Sequence, residues 1–249
     1  MIRSTPVLQA FSNAAERYDL AARLQHAMAW RLAQHCRRAA IPKGLWVDLG
    51  SGTGCLADAL EATHPSQSVL RVDGSAAMLE QHHSHCCTTL HDLNLGLPPW
   101  ENDPQLIASS FALHWLDNPA SHLQHWQNAL PTGGWLALAV PVRGSFPEWH
   151  AAADQSGEPC TALPLPDPTQ LLSSISTATI QTQRCLSFTQ TAVQPMALLK
   201  PIQSIGASAT PVAPLSMGGW RRLLRSWPDA QGSAGVTLTW KILLLLLKR

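Results

Sequence analysis

Charge is scarce in this sequence. Only 13% of its 249 residues are Asp, Glu, Lys or Arg, about half the usual share for a soluble domain. The 17 basic and 16 acidic residues leave a formal charge of +1. That balance excludes disorder driven by excess charge. It also lacks the basic bias that holding a long polyanion favours, so no nucleic-acid partner is expected. Long apolar runs are missing as well. The longest, Ile242 to Leu247, has the length of a buried strand and falls far short of the roughly 20 residues of a membrane span, so no membrane partner is expected. The first 20 residues carry no unbroken apolar stretch and soon reach Glu16, Arg17 and Asp19, which argues against a secretory leader. The cysteines, Cys36, Cys55, Cys86, Cys87, Cys160 and Cys185, form no C-x-x-C pair. Reduced thiols and a cytoplasmic location follow as expectations.

What is present reads as one α/β domain, at an ordinary 45% hydrophobic residues and a length suited to a single core. Apolar and small residues recur at helical spacing from Phe11 to about Cys36, with Ser12 as a candidate cap. Leu45 to Leu49 is a short apolar run entering a glycine cluster. Helices at 55–63, 75–85 and 119–129 then alternate with strands at 69–73, near 90–92, at 106–110 and at 135–140. Such alternation predicts a parallel sheet with helices on both faces. Residues 141–175 are rich in Pro, Ser and Ala and predict an insertion with one helix, Phe146 to Ala153. A strand at 180–189, a helix at 194–205 interrupted by Pro201, a helix at 217–227 and a strand at 236–247 complete the pattern.

The stretch Val47-Asp48-Leu49-Gly50-Ser51-Gly52-Thr53-Gly54 carries the chemistry. Glycines that follow a strand and open a helix let the backbone turn tightly and let a ligand approach without meeting a β-carbon. Asp73 ends the second strand, 25 residues after Asp48, where an acid can accept both hydroxyls of a ribose held at the turn. The loop lacks the G-x-G-x-x-G pyrophosphate fingerprint, which disfavours NAD. Asp92 and Leu93 follow the third strand, placed for a carboxylate to accept from an adenine amino group while leucine packs on the ring.

These three acidic strand ends, in order around a glycine loop, resemble the class I S-adenosylmethionine-dependent methyltransferases. The resemblance implies a Rossmann-like fold: a seven-stranded, mostly parallel sheet whose last strand is antiparallel, with helices on both faces and an N-terminal helical lid. It implies S-adenosylmethionine as cofactor, with Asp48, Gly50, Ser51, Gly52, Gly54, Asp73, Asp92, Leu93 and Ser109 as the candidate binding set. In that reading residues 1–43 form the lid, 44–140 the cofactor core and 141–249 the acceptor side.

A narrower resemblance rests on F-S-N-A-A-E-R-Y-D at 11–19 with Leu24-Gln25, S-S-F-A-L-H-W at 109–115, G-S-F-P-E-W at 144–149, I-G-A at 205–207 and L-T-W at 238–240. These segments are similar to the malonyl-acyl carrier protein O-methyltransferases, which begin the pimeloyl branch of biotin synthesis. Ser110, His114, Trp240 and Gly74 depart from that family's usual pattern. The resemblance implies a malonyl-loaded acyl carrier protein as partner, a monomer, and Tyr18 as the catalytic donor on the lid. Arg143 and Lys200 are candidates to face the acceptor carboxylate or the carrier's arm. Two alternatives stay open: methylation of a small free carboxylic acid, and a cofactor-binding regulatory subunit without catalysis. His82, His83, His85, Cys86, Cys87 and His91 lack the ligand spacing of zinc sites, so no metal is expected. Arg221, Arg222 and Arg225, and a second patch of Arg37, Arg38 and Lys43, are candidate basic surfaces for an acidic carrier.

Overall fold

The computed structural model describes residues 4–175, 180–205, 212–230 and 235–249. Gly206 and Ala207 of the I-G-A segment therefore lie outside the described residues. Seven strands form one sheet in the order β3-β2-β1-β4-β5-β7-β6: β1 Leu45–Leu49, β2 Val69–Asp73, β3 Thr88–Leu90, β4 Pro104–Ser110, β5 Trp135–Pro141, β6 Ile180–Ala192 and β7 Val236–Lys248. The pairs among β1 to β5 are parallel. β7 enters antiparallel between β5 and β6.

Two cores sandwich the sheet, and strand periodicity explains which residue joins which. Ile242, Leu244 and Leu246 of β7 belong to one core, and Leu243, Leu245 and Leu247 to the other. β5 splits likewise, with Trp135, Ala137 and Ala139 against Leu136, Leu138 and Val140. A central strand buried on both faces reads as a continuous apolar run, not an alternating one. Each leucine buried this way is worth roughly 1.5–3 kcal/mol relative to exposure. β6 is one of the two edge strands, and its Gln, Thr and Arg side chains face outward, a composition that discourages pairing with another chain.

The helices are α1 Ser4–Ala14, α2 Tyr18–Ala21, α3 Arg23–Arg37, α4 Cys55–Thr63, α5 Ala76–Leu79, α6 Pro119–Ala129, α7 Pro147–Ser156, α8 Pro168–Ser173, α9 Pro195–Ser204 and α10 Met217–Arg225. Three differ from the sequence pattern. Helix begins by Ser4, so Ser12 sits inside α1, where its hydroxyl lies 2.8 Å from that of Ser75. α5 is a single turn capped by Ser75, whose Oγ accepts from the Met78 amide at 3.3 Å; it does not reach His85. The proline-rich loop contains α8, for which Asp167 is the cap, accepting from the Thr169 amide at 2.7 Å. That Asp-Pro start is a helix signal the loop's proline content obscures.

Candidate active site

The strand order reverses between β1 and β4, and in open α/β sheets ligands bind beyond the carboxyl ends of the strands at such a point. A cleft of about 940 Å³, including its open mouth, lies there. Its walls include Asp48, Gly50, Ser51 and Gly52 after β1, Asp73 after β2, Asp92 and Leu93 after β3, and Ser110, Phe111 and Ala112 after β4. Val7, Leu8 and Phe11 of α1, Tyr18 of α2, and Gln25 and His26 of α3 close it from the N-terminal side.

Most of the glycine loop's amides are already spoken for. Those of Gly50 and Ser51 donate to the Val72 carbonyl at 2.8 and 3.0 Å, and that of Gly54 donates to the Ser51 carbonyl at 2.9 Å. The Gly52 amide donates to Asp73 Oδ2 at 2.8 Å. The loop therefore offers a ligand open approach more than a ring of free donors: a side chain at Gly52 would meet nothing within 4 Å. Gly50, at φ +71°, is required differently, because a β-carbon there would fall 2.2 Å from that of Ala112.

Beneath the loop lies a polar foundation. Arg71, only 1% exposed, pairs with Asp58 and Glu61 of α4 at 2.8 Å each, and it sits next to Asp48 in the β1–β2 register. His82 Nε2 meets the Gly52 carbonyl at 2.7 Å and Nδ1 meets Arg71 Nη1 at 3.3 Å. Carbonyl and guanidinium together fix a ring with its proton on Nε2. A β-carbon at Gly54 would fall 2.8 Å from Arg71 and 3.0 Å from His82; this glycine packs on the foundation and does not line the cleft. Asp48 accepts from the Ala57 amide in the first turn of α4 at 3.2 Å, and its other oxygen has no partner among the described residues. Burial pushes this carboxyl up to about 7, against the opposing pull of Arg71 and that amide.

Asp73 accepts from two amides, Gly52 by Oδ2 and Ser75 by Oδ1, each at 2.8 Å. Burial raises its pKa and these bonds oppose the rise. A carboxylate has about four acceptor sites, so both oxygens keep capacity for a ligand. Asp92 caps the short helical turn at Leu93–Leu95, accepting from the Asn94 amide at 3.0 Å. Tyr18 lies 6.4 Å from Phe11, ring to ring, and its phenol has no hydrogen bond to the described residues. Burial, then the charges of Asp73 and Asp19, raise its pKa and keep it a donor. Asp19 latches this helical cover to the loop, accepting from Thr53 Oγ1 at 2.7 Å and meeting His26 Nε2 at 3.0 Å. Gly74 also serves the cover, since a β-carbon there would lie 2.6 Å from Leu8 of α1.

A second cavity of about 1,120 Å³, including its open mouth, adjoins the first, sharing Trp115 as a wall. Trp149, Trp220, Trp240, Phe146, His114 and Thr161 line it, together with Leu163, Leu165 and residues of α9 and the segment after it. The segments 144–149 and 238–240 are mated here. Phe146 donates its amide to the Thr239 carbonyl at 2.6 Å, Glu148 accepts from the Thr239 amide at 2.9 Å, and the Phe146 and Trp240 rings stand edge to face at 4.5 Å. Phe111 and Phe146 both hold positive φ, +57° and +60°. That conformation costs about 1–3 kcal/mol in a non-glycine residue, and both rings pack on Trp240.

A methyltransferase-domain family profile matches residues 47–136. The malonyl-[acyl-carrier protein] O-methyltransferase of Dechloromonas aromatica is 31% identical over 205 residues, 81% of this chain and 76% of that one. The chain belongs to that family of class I S-adenosylmethionine-dependent methyltransferases. A trans-aconitate 2-methyltransferase of Mycobacterium ulcerans is 34% identical over only 101 residues, 40% of this chain and 37% of that protein. The YcgJ protein of Bacillus subtilis shares the fold at a TM-score of 0.58 with 14% identity, covering 88% of this chain and 98% of that one.

This methyltransferase uses S-adenosylmethionine, and its cleft fits that group. Open space before Gly52, spare acceptor sites on Asp73, and Asp92 with Leu93 in one wall suit a nucleoside carrying a short charged chain. Besides Gly54, three residues of the expected set stand elsewhere. Ser109 faces away, donating to the Leu49 carbonyl at 2.7 Å; one residue on, in the opposite phase of the strand, Ser110 lines the cleft. Arg143 is 72% exposed and paired with Asp167 at 2.7 Å, because the loop before α8 folds back onto the end of β5. Lys200 is exposed on α9, and neither cation lines either cavity. Sequence reasoning missed Arg71 and His82 as the loop's supports. A lone arginine between Leu70 and Val72, with Asp58 and Glu61 three apart on the preceding helix, was the available signal.

Proposed function

We propose that this methyltransferase esterifies the free carboxylate of a malonyl group carried on an acyl carrier protein, giving the methyl ester that primes pimeloyl synthesis. The observation that carries the reading is the pair of adjoining cavities, one fitted to the cofactor and one walled in part by the segments 144–149 and 238–240, on which the resemblance to malonyl-acyl carrier protein methyltransferases rests. The bound cofactor supplies a methyl group on a cationic sulfur, ready for displacement. The acceptor's oxygen forms the new O–C bond while the C–S bond breaks and its electron pair stays on sulfur; no proton moves. A malonyl carboxylate is already ionised at pH 7, so the chain has no need of a general base. Its task is alignment, which can supply roughly 7–11 kcal/mol, and exclusion of water. Tyr18 serves as a donor that orients the acceptor, and the helical cover closes the cleft through the Asp19–Thr53 contact.

Carrier docking falls to α10. Its Trp220 lines the second cavity, while Arg221 and Arg225, one turn apart, are exposed and free to meet an acidic partner. Arg222 is partly neutralised by Glu158, 2.7 Å away. Mass spectrometry of malonyl-loaded carrier protein incubated with enzyme and methyl donor tests the reading. One methyl mass gained is the expected result. No gain on the carrier, with methylation of a free dicarboxylic acid, transfers the function to small acids.

A further inference from the structure

We propose that the second cavity is the acceptor chamber and that it holds the acceptor's carboxylate with uncharged donors, Trp149, Trp240 and Thr161, and without a lysine or arginine. The proposal deepens the carboxyl-methylation reading and rests on it. Among the described residues that line this cavity there is no Lys, Arg, Asp or Glu. Four of them carry a sealed polar atom with no partner among the described residues: Trp149 Nε1, Trp240 Nε1, Thr161 Oγ1 and His114 Nδ1. An indole N–H can only donate, so an occupant that reaches these side chains pairs with them by bringing acceptors. Leaving such donors unpaired is costly. Meanwhile the fold holds two phenylalanines in a strained backbone conformation against Trp240, so the tryptophan's position is set by more than filling space.

The chemistry favours this over a salt bridge. A cation beside the carboxylate would stabilise the ground-state anion, and it would be left buried and unpaired once the reaction makes a neutral ester. Neutral donors orient the anion and stay tolerable after it is gone. The reaction destroys charge, and a dry, uncharged wall favours its transition state over the charged reactants. His114 fits this wall, since burial pushes its imidazole down to about 3 and keeps it neutral.

The test measures equilibrium binding of short malonyl, acetyl and hexanoyl thioesters by calorimetry, and methyl transfer to the malonyl compound, in wild type, Thr161→Val and Trp240→Phe. Wild type should prefer malonyl to the other two. Each variant should lower that preference about tenfold, the scale of one hydrogen bond to a charged group, with affinity for S-adenosylhomocysteine unchanged. If Trp240→Phe does not fold, the nearly isosteric Thr161→Val decides alone. Wild-type preference and turnover retained in the folded variants overturn the proposal, as does tighter binding of hexanoyl than malonyl thioester by wild type. A wild-type enzyme that methylates no malonyl compound at all defeats the functional reading itself, a result distinguishable from both.

Discussion

The two cavities are built on opposite physical terms although they share a wall. The cofactor cleft rests on charge: Arg71 is clamped by two carboxylates, His82 bridges loop and arginine, and Asp73 accepts from two amides. The second cavity has aromatic walls and no charged side chain among its described lining; buried polar atoms without partners among the described residues occur in both, Asp48 Oδ1, Ser51 Oγ and Ser110 Oγ in the first and the Trp149 and Trp240 indoles in the second. The first offers carboxylates, which suit the hydroxyls and positive charge of its ligand. The second offers uncharged donors among aromatic rings, different terms on which to select a ligand.

Acid–base behaviour should separate the two regions most strongly, because each buries one ionisable group the wrong way. Asp48 has its pKa raised to about 7 in the folded chain. Between about pH 4 and 7 the folded state therefore holds a proton that the unfolded state has lost, and stability falls as pH rises. His114 is pushed down to about 3. Between about pH 6.5 and 3 the unfolded state holds the extra proton, so stability falls as pH drops. Chemical denaturation across pH 3–8 should show Asp48→Asn gaining on wild type as pH rises, by up to about 4 kcal/mol. His114→Gln should gain as pH drops. Parallel curves for a variant and wild type would show that its group titrates normally.

Asp73→Ala sharpens the cofactor side. Two charge-assisted bonds to a ribose are worth roughly 2–3 kcal/mol, so calorimetry with S-adenosylhomocysteine should show about 30- to 150-fold weaker binding. Because Asp73 also holds the Gly52 and Ser75 amides, some loss of melting temperature should accompany it. Unchanged affinity in the folded variant would remove Asp73 from the site.

Tyr18→Phe probes the boundary between the regions, and its effect should be somewhat smaller. A lost bond to an anionic acceptor costs about 1.5–3 kcal/mol, a tenfold to hundredfold fall in turnover if it acts in the transition state. Cofactor affinity should stay nearly constant. Full turnover per folded molecule with a lowered melting temperature would make Tyr18 part of the packing only.

The same contrast decides what was legible in the sequence. The cofactor cleft is written in short contiguous segments, each at the end of a strand, so the glycine loop, Asp73 and Asp92 are visible where strand meets turn. The second cavity gathers residues from the turn after β4, the 144–165 region, α9, α10 and β7. Glu148 and Thr239 meet across 91 positions, and nothing local in either segment announces the other. Charge misleads in the same way: Arg143 and Lys200 are conspicuous by type, yet only the folding of the loop before α8 shows that Arg143 is already paired. Phase was the remaining difficulty, since Ser109 and Ser110 differ by one step and point to opposite faces.

The sheet's strand order also sets a timetable for biosynthesis. β6 pairs only with β7, and β7 is made after every other strand. At about 5–20 residues per second, the ribosome needs roughly 3–11 s to go from the end of β6 at Ala192 to the end of β7 at Lys248. During that interval β5 waits with one edge open and β6 has no partner strand. The nascent chain can pair β1 to β5 early, but the sheet closes only when β7 slides between two strands that are already made. Slow translation or a holding chaperone should matter most between Ala192 and Lys248.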